Sequence, residues 1–370
     1  MHDRTSDTLE HMLQLRAEAA FERQLRRRRW TLPALMALLF VVTLYTCTVG
    51  GVHISTSEIL AMLSSALRGH EYAGATPEHA AVFFAIRLPR IVLAILIGAS
   101  LGVSGAAMQG VFRNPLVDPG LLGVSGGAAL GAVSAIVLGA SVTGGLSPEL
   151  LHYALPVAAF VGSVGAMLLV QWLGSVDGRA SIATLLLAGI AVNALTGALT
   201  GLLTYKANDA QLRTITFWSF GSLGGASWPT IFATAPFFAL AIIGLPRMAR
   251  PLNALLLGEA EAGHLGYSTE RTKRWVILLV SLAVGTAVSV AGIIGFIGLM
   301  VPHLLRLVTG PDHRILLPGS ALLGGSLLLV SDAFARTLAV PAELPIGIVT
   351  ACLGTPFLLA LLAQERRRIA

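Results

Sequence analysis

IVLAILIGASLGVSGAAMQGVF, residues 91–112, runs for 22 residues without an Asp, Glu, Lys or Arg. A helix needs about 20 mostly apolar residues to cross the hydrocarbon of a bilayer. The run lacks the period-two alternation of a barrel strand, and in lipid the other structure that satisfies every peptide group is a helix. Gly98 and Gly102 sit one helical turn apart, the spacing that lets helices approach closely in a membrane. Further uncharged stretches cover 30–57, 119–148, 150–176, 180–205, 214–246, 275–305, 315–331 and 344–364. The 275–305 stretch carries Gly292, Gly295, Gly298 and Pro302 in its second half, so it reads as one full helix, a bend, and a shorter helix running past Arg306. The expected fold is an all-α polytopic membrane protein of about ten transmembrane helices.

The rest of the composition agrees. Of 370 residues, 55% are hydrophobic and 12% charged, about half the charge of an ordinary soluble domain. Cys47 and Cys352 both fall inside apolar stretches, so no disulfide framework is implied. The polar opening ends in Arg26–Arg29, and the apolar stretch after it is too long for a cleavable signal. With both termini placed in the cytoplasm, 19 of the 25 Lys and Arg residues fall on that side, as the positive-inside rule requires. The net charge of +6 then reflects topology and not a nucleic-acid partner. Residues 1–30 are expected as a cytoplasmic tail, 31–364 as the membrane domain and 365–370 as a short cytoplasmic tail of an inner-membrane protein. Ser55-Thr56-Ser57-Glu58 reads as a capping box opening a surface helix in the outside loop 53–90. Residues 113–118 read as a tight inside turn, 206–228 as an outside segment with a short helix, and 247–274 as the largest inside loop.

Several function classes lose support. Lys206 and Lys273 are the only lysines, and neither follows a GxxxxG loop, so no Walker A phosphate cradle exists; ATP, if used, is bound by a separate subunit. Ion-coupled carriers need ionisable groups inside the bundle. The spans carry almost none, and His303 beside Pro302 reads as a packed histidine. A membrane-embedded enzyme, or a zinc or manganese permease, would need His and acidic clusters that are missing. No metal site and no permanently bound cofactor are expected. The loop PLNALLLGEAEAGHLGY (251–267) mixes apolar and acidic residues, which suits a docking surface. Arg87 and Arg90 flank Leu88-Pro89, and Arg336 lies past Asp332; arginines suit bidentate carboxylate pairing, with an acidic external partner or with local groups. In the fifth stretch Gly189, Asn193, Gly197 and Gly201 recur every four residues beside Thr196, Thr200 and Thr204, which serves close packing or a smooth, weakly polar wall.

The runs IRLPRIVLAILIGASLGVSGAAMQGVFRNPLVDPGLLGVSGGAALG (86–131), LGEAEAGHLGY (257–267), GFIGLMVPHLLRL (295–307), DHRILLPG (312–319) and AELPIGIVTACLG (342–354) strongly resemble the FecCD-type permeases of type II ABC importers, which carry iron chelates, haem or vitamin B12. The resemblance implies ten helices per subunit, a homodimer, two ATPase subunits beneath and a periplasmic binding protein above. It assigns Leu257, Gly258, Glu259, His264, Leu265 and Gly266 to the element that seats on the ATPase. Arg87, Arg90 and Arg336 match arginines that receive acidic residues of the binding protein. Asn114 and Leu116 match a cytoplasmic gate, and Ile182 and Ala183 a second gate that carries hydroxyl residues in a vitamin B12 permease. Gly189, Asn193, Thr196, Gly197 and Thr200 would line the path. DAQLRTITFWSFGSLGGASW (209–228) and ARTLAVPAELPIG (335–347) look most like haem permeases, which implies haem as cargo and a periplasmic haem-binding protein. A ferric siderophore or cobalamin is the alternative cargo, and a secondary carrier the alternative class.

Overall fold

The computed structural model describes residues 29–50, 52, 54–68, 76–142, 148–176, 179–340 and 342–369. The tail expected over 1–30 therefore lies, up to residue 28, outside the described residues, as do parts of the 53–90 loop. Helix α1 covers Arg29–Thr48. Helix α2, Thr56–Leu67, opens with the expected capping box: Ser55 Oγ accepts from Glu58 N at 3.3 Å and the Glu58 carboxylate accepts from Ser55 N at 2.9 Å. Those bonds, the backbone N–H of Ser55 foremost, hold the Glu58 carboxyl below its ordinary pKa. Helix α3, Pro77–Ala81, passes through a π-helical turn, Val82–Arg87, into α4, Leu88–Phe112, making one run of 36 residues. Arg113, at φ 50°, ends it. A 3₁₀ turn, Pro119–Leu122, precedes α5, Val124–Val142, and α6, Pro148–Leu173.

Two-residue strands β1, Ser175–Val176, and β2, Arg179–Ala180, pair antiparallel before α7, Ile182–Lys206. Then come α8, Asp209–Ser219; α9, Trp228–Arg247; α10, Ala249–Leu255; α11, Glu259–His264; α12, Thr269–Ala291; α13, Ile297–Thr309; α14, His313–Thr337; and α15, Ile346–Ile369. Among the described residues, eight helical runs are long and apolar enough to cross a membrane: α1, α3–α4, α6, α7, α9, α12, α14 and α15. The expected ten is reached by adding the shorter apolar helices α5 and α13. The 275–305 stretch divides as expected, with α12 ending at Ala291 and α13 starting at Ile297. The 214–246 stretch does not form one span, because the short helix α8 takes its first residues.

The bundle has a dry centre and an apolar rim. Two-thirds of the apolar segments of α12 and α14 is buried, against 17% of α1 and 28% of α6, α7 and α9. Centre and rim are equally apolar, so in lipid they differ by packing and not by hydrophobicity. At the centre the α4 and α14 backbones touch. A methyl group added at Gly98 would lie 2.4 Å from the Gly324 carbonyl oxygen, and one at Gly102 2.2 Å from that of Ser320. Gly105 presses on α13 in the same way, with 1.7 Å to the Gly298 oxygen. Gly165 on α6 has open space around it.

Gly105→Val is expected to destabilise the bundle by about 3 kcal/mol or more, lowering its unfolding temperature in detergent. Gly165→Ala should change that temperature little; equal effects would show that the α4–α13 contact is not tight.

Candidate functional site

Three regions carry polar or open structure: the two ends of the bundle and the breaks between its helices. At one end α4 begins and α14 finishes. Asp332, fully buried, faces two guanidiniums there. Arg90 Nε donates to Asp332 Oδ1 at 2.9 Å. Arg336 Nε lies 3.0 Å from Oδ2, close enough for an ion pair though off the N–H line. Arg90 also makes a two-oxygen contact to Glu343, at 3.0 and 2.9 Å. Arg87 donates to the carbonyls of Cys47 and Val52, and Arg336 to that of Val49. These bonds tie the chain after α1 to α4 and α14.

Arg87, Arg90 and Arg336 are only 4–8% exposed, and their forks point inward: Arg90 and Arg336 form local ion pairs, whereas Arg87 binds backbone carbonyls. Glu343 is the half-exposed member of the cluster. The sequence reading missed Asp332 and Glu343 as partners, although spacing alone placed Asp332 and Arg336 one helical turn apart.

In the middle of the bundle three breaks meet. The stretch between α12 and α13, 292–296, lies against the end of α8 and the start of α15. Ser222 N donates to the Ala291 carbonyl, Ile346 N to that of Gly221, and Gly347 N to that of Phe220. Gly292, at φ 70°, lets the chain turn where a methyl group would meet the Trp218 oxygen at 2.1 Å. Beside this junction a cavity of about 650 Å³ opens, walled by Phe220, Ile293, Phe296, Ile348, Cys352 and Thr355 among others. The sequence reading did not name this wall, because its residues come from three separate segments.

The segment after α4 departs from the expected surface turn. Asn114 and Leu116 are exposed, and Asn114 Oδ1 accepts from Leu116 N at 2.9 Å. The chain then climbs back into the bundle: Asp118 Oδ2 and the Leu101 carbonyl both lie beside Gly298. Asp118 Oδ1 accepts from Gly120 N at 2.8 Å, starting the 3₁₀ turn. A small void of about 20 Å³ next to it, bounded by Ser125, Gly292 and Gly298, is large enough for one water. An ionisable group at this depth was not foreseen; the Asp-Pro-Gly sequence that follows Val117 was its only signal.

The α7 residues divide between two faces. Gly189 packs on the Leu121 carbonyl, Asn193 Nδ2 donates to the Gly120 carbonyl at 3.2 Å, and Thr196 is buried against its own helix backbone. Gly189 and Asn193 hold the 3₁₀ turn, Thr196 lies against Gly126 of α5, and all three are buried or half-buried. Thr200 is half-buried and Ile182 packs against the core. Ala183, Leu187, Ile190, Gly197 and Gly201 form the open face. His303 stacks edge-on to Phe357, with ring centres 5.5 Å apart. Among the described residues no group of three His, Cys, Asp or Glu side chains is placed to hold a metal.

At the opposite end, α10 and α11 form a helical hairpin. Gly258, at φ 128°, makes the turn between them. Glu259 accepts from the buried Lys273 Nζ at 2.8 Å, and Glu270 accepts at 3.2 Å, fixing α11 to α12. Leu257 and Leu265 are exposed by 66% and 60%, with exposed His264 and Gly266 beside them. The expected docking element is thus a compact apolar knob, not a loose loop.

Asp332→Asn removes the charge shared by Arg90 and Arg336 and is expected to cost about 3–5 kcal/mol. Glu343→Gln, at a half-exposed site, should cost under about 1 kcal/mol. Thermal unfolding of both variants in detergent checks the difference, and equal losses would contradict the buried network.

Residues 37–364 match the profile of the FecCD transport family. The hemin transport system permease protein of Yersinia pestis is 49% identical over 78% of this chain and 84% of its own length. The cobalamin import system permease protein of Halobacterium salinarum is 45% identical over 79% and 76%, and the vitamin B12 import system permease protein of Escherichia coli O9:H4 is 38% identical over 85% and 94%. Among solved structures, a metal-chelate type ABC transporter in an inward-facing conformation superposes with a TM-score of 0.75 and 32% identity, over 91% of this chain and 99% of that one. With the motifs, the ten apolar helices and these likenesses in agreement, the chain belongs to the FecCD transport family and is a multi-pass permease of the ABC importer type.

Proposed function

We propose that this permease imports haem as a homodimer in the bacterial inner membrane, with both termini in the cytoplasm. Two ATPase subunits engage the α10–α11 knob, and a periplasmic haem-binding protein docks at the Arg90 end. The observation that carries the cargo is the cavity of about 650 Å³ at the helix breaks. Its wall is largely aromatic and aliphatic with a few polar groups, which suits a large, flat, amphiphilic solute. Identity is also higher with the hemin permease than with the two cobalamin permeases. Ile182 and Ala183, apolar and small at the second gate, point the same way.

The path runs between two copies of the open α7 face, past Gly197, with Asn114 and Leu116 as the cytoplasmic gate. Hydrolysis lies outside this chain, since neither lysine belongs to a phosphate loop. The permease supplies differential binding of cargo between outward- and inward-facing states, because only such a difference shifts an equilibrium. At the Arg90 end Asp332 and Glu343 pair with Arg90 and Arg336, while the buried Arg87 is held by backbone carbonyls, an excess of one positive charge. Glu343 is the carboxylate an acidic residue of the binding protein can displace from Arg90.

The test is uptake into proteoliposomes holding permease, ATPase and binding protein, against a panel of haemin, cobalamin and a ferric siderophore. ATP-dependent haemin uptake in preference to the others is expected; preference for another chelate overturns the cargo assignment. Uptake without the ATPase overturns the ABC mechanism itself. Gly197→Trp, placed in open space on the proposed wall, should lower uptake at least tenfold, whereas Gly165→Trp on α6 should leave it within twofold.

A further inference from the structure

The exposed knob is joined to the gate by a chain of buried contacts that begins at Asn253 on α10. Its side-chain amide is used on both sides. Asn253 Nδ2 donates to Asp312 Oδ1 at 2.7 Å. Asn253 Oδ1 accepts from His313 N at 2.9 Å and lies 2.9 Å from His313 Nδ1. The carboxylate next to Nδ2 can only accept, which settles the amide orientation and makes His313 Nδ1 the protonated nitrogen. Asp312 also caps α14 by accepting from Arg314 N at 3.0 Å. One amide thus locks α10 to the first residue of α14.

The chain continues through His313, which is 1% exposed. Its Nε2 finds no hydrogen-bond partner and lies against Gly110, where an added methyl group would come within 2.4 Å of it. Gly110 belongs to the last turn of α4. Its neighbour Gln109 donates to the Leu299 carbonyl at 3.3 Å and accepts from Arg306 at 2.9 Å, so α13 clamps the same turn. The turn that follows hangs on those two residues: Arg113 N donates to the Gly110 carbonyl and Asn114 N to that of Gln109. From Leu257 to Asn114 there is a continuous packed route, with a hydrogen-bonded amide where α10 meets the start of α14.

We propose that Asn253 is the positioning residue that makes the α10–α11 knob and the Asn114 turn move as one body. This rests on the reading of the knob as the ATPase-docking element and names the side chain that carries its motion to the gate. An Asp at 253 would set a carboxylate against Asp312, and an Ala would leave Asp312 and His313 without their shared partner. Either change removes the hydrogen bonds between α10 and the start of α14 while leaving Leu257 and Leu265 exposed.

The experiment uses the full transporter in proteoliposomes, with haemin as cargo, or cobalamin if the wild type moves only that. Asn253→Ala and Asn253→Asp are expected to keep co-purification with the ATPase and hydrolysis within twofold, while uptake falls about tenfold, so that ATP used per solute rises about tenfold. Gly110→Ala presses on His313 from the α4 side and is expected to raise the same ratio; it decides the matter if the Asn253 variants do not fold. Uptake and hydrolysis falling in proportion, or an unchanged ratio in folded variants, overturns the proposal. Leu257→Ala with Leu265→Ala tests the docking reading separately, since intact co-purification in that double variant would remove the knob's role without bearing on the Asn253 junction.

Discussion

A peptide group left unpaired in hydrocarbon has no water to turn to and costs several kcal/mol. That constraint governs this structure more than any side-chain contact. The chain leaves helical geometry at 113–123, 220–227 and 292–296, and each departure is supplied with partners. The Gly221 carbonyl accepts from Ile346, and that of Ala291 from Ser222. Asp118 closes the 3₁₀ turn through Gly120, whose carbonyl in turn accepts from Asn193. Because broken segments are safest against one another, two of them gather with the start of α15. A cavity of about 650 Å³ lies where they gather, since a junction of turns cannot fill space as evenly as packed helices do.

The same medium explains the rigid centre. Lipid tails are as apolar as leucine, so helices gain little by hiding apolar side chains from them and hold together by contact area. Gly98, Gly102 and Gly105 bring α4 within backbone contact of α14 and α13. An apolar interface alone has many registers of similar energy. Asp332, buried between Arg90 and Arg336, selects one, because sliding either helix by a turn would leave a charge unpaired in the interior. The centre therefore combines small residues for proximity with one ion network for register.

Much of this was legible in the residues. Apolar run length found the spans, and the glycines and Pro302 divided 275–305 correctly into α12 and α13. The Ser55–Glu58 box and the exposed leucines of 251–267 also read true, because each is a local signal. What escaped was non-local. The α7 pattern was visible, but not which face of it packs: Gly189 and Asn193 turn to the 3₁₀ segment, Thr196 to α5, and Gly197 to open space. The arginines were legible as pairing groups, while their partners Asp332 and Glu343 lie more than 240 residues from Arg90 in sequence. Asp118 looked like part of a surface turn because nothing in a six-residue stretch tells how far the chain climbs back.

Helix α4 unites these features. Its first turns hold Arg90, and its last turn holds Gln109 and Gly110, a rise of ~30 Å at 1.5 Å per residue. Along the whole distance it is buried on nearly every side, with no proline after Pro89 to bend it. A partner that draws Glu343 off Arg90 changes the forces on one end of this strut, and a partner that shifts α10 changes those on the other through Asn253 and His313. Two ligands that bias one rigid element are coupled, and the coupling is reciprocal by linkage: a partner acting at the Arg90 end and one acting at the α10 end would alter each other's affinity by the same factor. An importer permease can in this way pass a change at one end of α4 to the other. For that relay the strut must stay stiff, which the glycine contacts favour, with polar contacts at both ends: Arg90 at one, and the Asn253–His313 pair against Gly110 at the other.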